Sequence, residues 1–122
     1  MTRAEHARYI ESARWKARAA QHLRRYPRCV CGRRDQLQVH HLSYDHAGEG
    51  KEPDRDLLTL CRRHHELAHE YERSGQYGQP YAGRTLRKAT VAMVAMVRDQ
   101  TVPGSCAPIR AWVQRLIGRR PG

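Results

Sequence analysis

The run VHHLSYDHAGEGKEPDRDLLTLCRRHHELAH, residues 39–69, holds six of the chain's eight histidines and decides how the remainder is read. Just before it, CVCG at residues 29–32 adds Cys29 and Cys31, so that three of the four cysteines fall between positions 29 and 61. The apolar and polar residues alternate from Leu37 to Leu42, which predicts a short strand. Gly48, Gly50 and Pro53 make Asp45–Pro53 a loop. Asp56–Leu60 then reads as a return strand or extended segment, and Arg62 to about Glu72 as a helix.

Two sets of metal ligands can be drawn from this region. Cys29, Cys31, Cys61 and His64 form two pairs about 30 residues apart, and each pair can grip one tetrahedral ion from one side. Gly32 lets the backbone turn tightly there. A structural Zn²⁺ suits such soft ligands. The second set is His40, His65 and His69, with His41 and Asp56 beside them. His65 and His69 stand four residues apart, so on a helix their rings share one face and can share an ion. His40 would complete a three-nitrogen site, and since neighbouring strand residues point to opposite faces, His41 cannot easily ligate the same ion unless the strand ends there. A neutral imidazole left in that position is suited to taking a proton from water.

The flanks differ in charge from this centre. Of 122 residues with a net charge of +11, residues 1–28 carry eight Lys/Arg against two acids, and residues 74–122 carry eight against one. Residues 29–73 carry seven against nine. Two basic arms around a slightly acidic middle point to a polyanionic partner, since basic surface gains by releasing counterions from nucleic acid. Twenty of the 23 basic residues are Arg, which suits bidentate phosphate contacts. The absence of Asn and Phe fits equally a GC-rich coding sequence as the source of that bias.

Residues 3–25 lack Gly and Pro and read as one long basic helix, with Tyr9, Ile10, Ala13, Ala17, Ala20 and Leu23 on an apolar face and Arg8, Arg14, Arg18 and Arg25 outward. Trp15 is expected to anchor it to the central module. His6, His22 and His46 are read as structural or exposed. The polar stretch SGQYGQPYAG, residues 74–83, ends the central module. A largely buried helix is expected over Thr85 to about Asp99, and a last one over about Pro108 to Ile117. Cys106 reads as an ordinary thiol. The units are thus a basic helix (1–28), a metal-holding module (29–73) and a helical extension (74–122), within one compact domain. No apolar stretch reaches the roughly 18 residues a membrane span needs, and the start of the chain is polar and Arg-rich, so the expectation is a soluble cytoplasmic protein with no membrane partner.

Residues 39–69, preceded by CVCG and by YIESARWKAR, resemble the HNH endonuclease family, whose ββα-metal fold occurs in phage, homing and restriction nucleases; the resemblance covers about residues 8–70. It implies a small α+β fold, a zinc-stapled ββα-metal, treble-clef-like centre with a long N-terminal helix and a helical C-terminal extension. It implies His41 as general base and His40 as a ligand, with Asp56 at the motif's middle position, His65 at its final histidine and His69 as an additional helical ligand. The zinc knuckles of many members fall on Cys29, Cys31, Cys61 and His64. The implied reaction is hydrolysis of DNA by one divalent ion (Mg²⁺, Mn²⁺, Ni²⁺ or Zn²⁺) held by His40, His65, His69 and Asp56. Arg62 or Arg63 would neutralise the transition state, and with Arg14, Arg18 and Arg25 would contact nucleic acid. Three departures stand out: Asp56 where the family usually has Asn, CxC for the commoner CxxC, and CxxH for a second CxxC. One centre cuts one strand, so nicking is expected, and a homodimer would supply two. The alternatives are a non-catalytic zinc module that binds nucleic acid, and a phage packaging accessory active only in a larger assembly.

Overall fold

A computed structural model describes residues 1–80 and 82–100. In chain order the elements are α1 (Arg3–Ile10), α2 (Ala13–Arg25), β1 (Leu37–His41), a 3-10 turn (Asp54–Asp56), β2 (Leu57–Cys61), α3 (Arg62–Arg73) and α4 (Thr85–Gln100). The described residues thus form a small mixed α+β fold of four α-helices and one two-stranded antiparallel sheet. The expected helix over 108–117 and Cys106 lie outside the described residues.

The single long helix expected over residues 3–25 is two helices. Ser12 takes an extended conformation (φ −76°, ψ 153°) and its side chain accepts a hydrogen bond from the Trp15 N–H, which starts a new helix. Serine favours this local bond over continuing a helix. The first helix has its own start, with the Thr2 hydroxyl accepting from the Glu5 N–H at 3.1 Å and the Glu5 carboxylate accepting from the Thr2 N–H at 3.2 Å. The break brings Tyr9 and Trp15 inward together, their ring centroids 5.8 Å apart. With Leu57 they form a small apolar cluster.

β1 pairs with β2 from Leu37 opposite Cys61 to His41 opposite Leu57. The Leu42 N–H extends the ladder by donating to the Asp56 carbonyl at 2.7 Å. Asp56 itself closes the 3-10 turn through its N–H to the Pro53 carbonyl at 2.9 Å, so β2 begins one residue later than expected. The main core lies between the sheet, α3 and α4, where Leu60, Leu67, Tyr71, Met93 and Val97 are fully buried. The α4 helix buries Leu86, Ala89, Met93 and Val97, a stripe at helical spacing, while Val91 is 61% exposed. Val94 and Met96 also pack partly buried against this core, in keeping with the largely buried helix that the many apolar residues predict.

Asp54 ties α2 to the segment before β2. Its carboxylate accepts from Arg18 at 2.7 Å, His22 Nδ1 at 2.9 Å and Arg25 at 2.7 Å. Arg18 also donates from Nε to the Glu52 carbonyl at 2.7 Å. These donors, Arg18 first, hold the Asp54 carboxyl well below its ordinary value of 3.8. A depressed carboxyl stabilises the fold above its unfolded pKa and loses that contribution as pH falls through the folded one. Asp54→Ala is expected to cost roughly 1.5–3 kcal/mol, the range for hydrogen bonds to charged groups. The check is the urea midpoint at pH 7, which should fall while helical content is kept.

Candidate functional site

The first ligand set is brought together as expected. Cys29, Cys31, Cys61 and His64 are all buried, with one ligand atom from each lying within 4.8 Å of the others. Cys29 and Cys31 approach from a tight turn, in which the Gly32 N–H donates to the Cys29 carbonyl at 2.8 Å and the Cys29 N–H to the Arg33 carbonyl at 2.9 Å. Gly32 sits at φ +91°, a conformation that favours glycine. Cys61 ends β2 and His64 lies in the first turn of α3. His64 Nδ1 is 3.4 Å from Cys29 Sγ and 3.2 Å from Cys61 Sγ. A tetrahedral zinc with ordinary Zn–S and Zn–N bonds would set such S···N edges at about 3.5 Å. Three thiols and an imidazole in this arrangement fit a structural metal such as zinc.

The two neighbouring sulfurs shift each other's acidity in opposite directions. The Cys61 thiol is lowered to about 3, chiefly by the hydrogen bond from Cys29 and then by His64. Cys29 is pushed up by the same hydrogen bond and by burial. A bound cation would favour the ionised form of both. All three described cysteines are free thiols.

The second set is His40 from β1 with His65 and His69 from α3. Their ring centroids are 5.1, 5.0 and 4.9 Å apart and their planes stand at 77–79°, each pair edge to face. One nitrogen from each lies within 4.8 Å of the others. The outer nitrogens are already engaged. His40 Nε2 is 2.9 Å from the Thr90 hydroxyl on α4, and His69 Nδ1 is 3.2 Å from a carboxylate oxygen of the fully buried Glu72. The Glu72 carboxylate can only accept, which puts the proton on His69 Nδ1 and leaves Nε2 to ligate, while the Thr90 hydroxyl orients the His40 ring, as the outer partners of metal-bound histidines do. The trio therefore fits a divalent cation. Burial first, and the neighbouring imidazoles second, lower His65 to about 4 and push His40 well below its usual range. These shifts favour the neutral ring, the form that ligates.

His41 faces the other way. Its ring stacks on Trp15, centroids 4.4 Å apart at 27°. Its Nε2 is 2.7 Å from Glu52 Oε2, and its Nδ1 is 3.4 Å from Nε2 of His6 on α1. Burial lowers its pKa, against the pull of the Glu52 carboxylate. His6 is lowered to about 4, by burial first and by His41 next. His6, His40, His41, Tyr44, His65 and His69 nonetheless open onto one cleft of about 560 Å³ that runs along β1 between α1, α2 and α3.

Two expected site residues are placed differently. Asp56 is not brought to the imidazole trio: one carboxylate oxygen meets His46 Nδ1 at 2.9 Å and the other meets Arg87 at 3.2 Å, which braces the loop against α4. Arg18 is not a surface cation, because its side chain is 9% exposed and bound to Asp54. Arg14, Arg25, Arg62 and Arg63 are exposed, although Arg25 reaches Asp54 and Arg62 lies 3.5 Å from Glu66. Residues the sequence reading missed are His6, Tyr9, Glu52, Glu72 and Thr90. Only Glu72 had a signal, three positions after His69 on the same helix.

Compared with protein-family models, curated proteins and solved structures, the chain has no match. No helix among the described residues is long and apolar enough to cross a membrane.

Metal analysis of the purified protein is expected to give two ions per chain. His65→Ala should lower the count to one with little loss of fold, whereas Cys61→Ala should lose the structural ion and cooperative unfolding together. The imidazoles also set a pH dependence. A depressed His stabilises above its unfolded pKa of 6.5 and loses that contribution as pH falls toward the folded value of about 4. In protein stripped of the second ion, the urea midpoint is expected to drop across that window, and less so in His65→Ala.

Proposed function

We propose that this chain is a metal-dependent endonuclease of the HNH type, which hydrolyses DNA phosphodiester bonds one strand per centre. The observation that carries this reading is the division of labour between neighbours in β1: His40 joins a three-imidazole ligand set while His41 is withheld from it, yet both border one cleft. A divalent ion (Mg²⁺, Mn²⁺, Ni²⁺ or Zn²⁺) on His40, His65 and His69 would supply Lewis-acid chemistry, drawing charge from the phosphate and the departing oxygen. His41 takes the proton of the attacking water. The water oxygen forms the new bond to phosphorus, the bond to the leaving oxygen breaks with its electron pair, and that oxygen takes a proton from solvent.

The exposed Arg14, Arg62 and Arg63, and the net charge of +11, support grip on a phosphate backbone. Arg25 is exposed as well, but shares its charge with Asp54. A homodimer or a larger phage assembly would bring two centres to a duplex.

Supercoiled plasmid incubated with Mg²⁺, Mn²⁺ or Ni²⁺ tests the proposal. Nicking is expected, and His41→Ala should lower its rate by about 10²-fold or more, the usual range for a general base, while plasmid binding is kept. Binding without nicking, or equal nicking by both proteins, would instead favour a non-catalytic nucleic-acid-binding module.

A further inference from the structure

Glu52 lies in the loop between β1 and the 3-10 turn, in a stretch that carries no pattern of its own. Its side chain is completely buried. Oε2 is 2.7 Å from His41 Nε2, and the Tyr9 hydroxyl stands 2.9 Å from Oε1 and 3.0 Å from Oε2. The loop is fastened there from two sides. The Gly50 N–H donates to the Tyr9 oxygen at 2.8 Å, and Arg18 Nε holds the Glu52 carbonyl at 2.7 Å. Gly50 has φ +74°, and a Cβ there would sit 2.8 Å from the Arg14 carbonyl oxygen, so the loop crosses α2 too closely for any side chain at that position. A buried carboxylate is costly unless paired and hydrogen-bonded, and here its strongest partner is the imidazole.

We infer that Glu52 is a positioning residue for the hydrolysis, holding His41 as its Nε2–H tautomer so that the lone pair stays on Nδ1, the nitrogen on the His6 side of the ring, where His6 and His41 line the cleft. The inference rests on the endonuclease reading. An imidazole can turn about its Cβ–Cγ bond and carry its proton on either nitrogen, and a short bond to a fixed carboxylate removes both freedoms. The same carboxylate stabilises the imidazolium formed once His41 has taken the water's proton. A carboxylate behind a catalytic histidine acts in this way in serine proteases, where its amide replacement costs about 10⁴-fold. Tyr9 and Arg18 then serve to hold Glu52, and Nδ1 accepts from His6 Nε2 at 3.4 Å, a contact that the attacking water would replace.

The test compares wild type, Glu52→Gln and Tyr9→Phe, each checked for metal content and unfolding midpoint. In ¹⁵N NMR of the metal-loaded wild type, His41 is expected to be protonated at Nε2 alone, and in Glu52→Gln this fixed state should be lost. In plasmid nicking, Glu52→Gln should lower kcat by about 10²-fold or more with KM within a few-fold, and Tyr9→Phe should lose less than about 10-fold. An Nδ1–H tautomer in wild type, full kcat in Glu52→Gln, or an equal loss in Tyr9→Phe would overturn the inference while leaving the endonuclease reading standing. A wild type that nicks with no divalent ion present or added would overturn both. If Glu52→Gln does not fold, the wild-type tautomer decides.

Discussion

Strand β1 must send consecutive side chains to opposite faces, and the rest of the molecule is arranged around that constraint. His40 meets α3 and α4, and His41 meets α1, α2 and the loop carrying Glu52. The register with β2 fixes which residue goes where. A slip of one position would exchange the two imidazoles and leave Glu52 and Thr90 facing the wrong partners. The register is in turn held at one end by Cys61, which pairs with Leu37 and also belongs to the Cys/His cluster. At the other end, the bond from Leu42 to Asp56 and the ties from Asp54 to α2 close the frame.

A chain this small has a modest apolar core, and much of its interior is polar. His22, His40, His41, Glu52, Asp56, His64 and Glu72 are all buried. Each needs a partner, because an unpaired buried charge or amide costs several kcal/mol. Burying a Leu or Met side chain contributes about 1.5–3 kcal/mol, whereas a structural zinc can contribute about 10–16 kcal/mol, comparable with the entire net stability of a domain. On those magnitudes an ion held by the four-residue Cys/His cluster would govern whether the frame forms at all, and the polar network inside it sets the orientation of the buried imidazoles. The two groups differ accordingly: one offers four buried side chains that could close around an ion, and the other offers three and borders a cleft.

Much of this was legible from residue spacing. Ligand pairs close in sequence, as Cys29 with Cys31 or His65 with His69, announce themselves, because helix and turn geometry dictates which side chains meet. The strand pair and α3 followed from alternation and from the helical spacing of histidines. The break at Ser12 was missed because Ala and Arg propensity outweighed a single capping residue. Arg18 looked like every other arginine on its helix, and only Asp54, 36 residues away, made it structural. The motif's middle position points Asp56 at a metal, while its carboxylate is taken up by His46 and Arg87. Glu52 and His6 reach the site from a loop and from α1, contacts across 11 and 35 residues that no local pattern encodes.

The central claim is that β1 gives one imidazole to a metal and withholds its neighbour. Anomalous diffraction from crystals loaded with Mn²⁺ or Zn²⁺ locates the ion directly. The account expects a peak within about 2.0–2.2 Å of one nitrogen each from His40, His65 and His69, with His41 unligated and still bonded to Glu52. A peak bonded to His41, or the lack of any peak at the three-imidazole cluster, would contradict it.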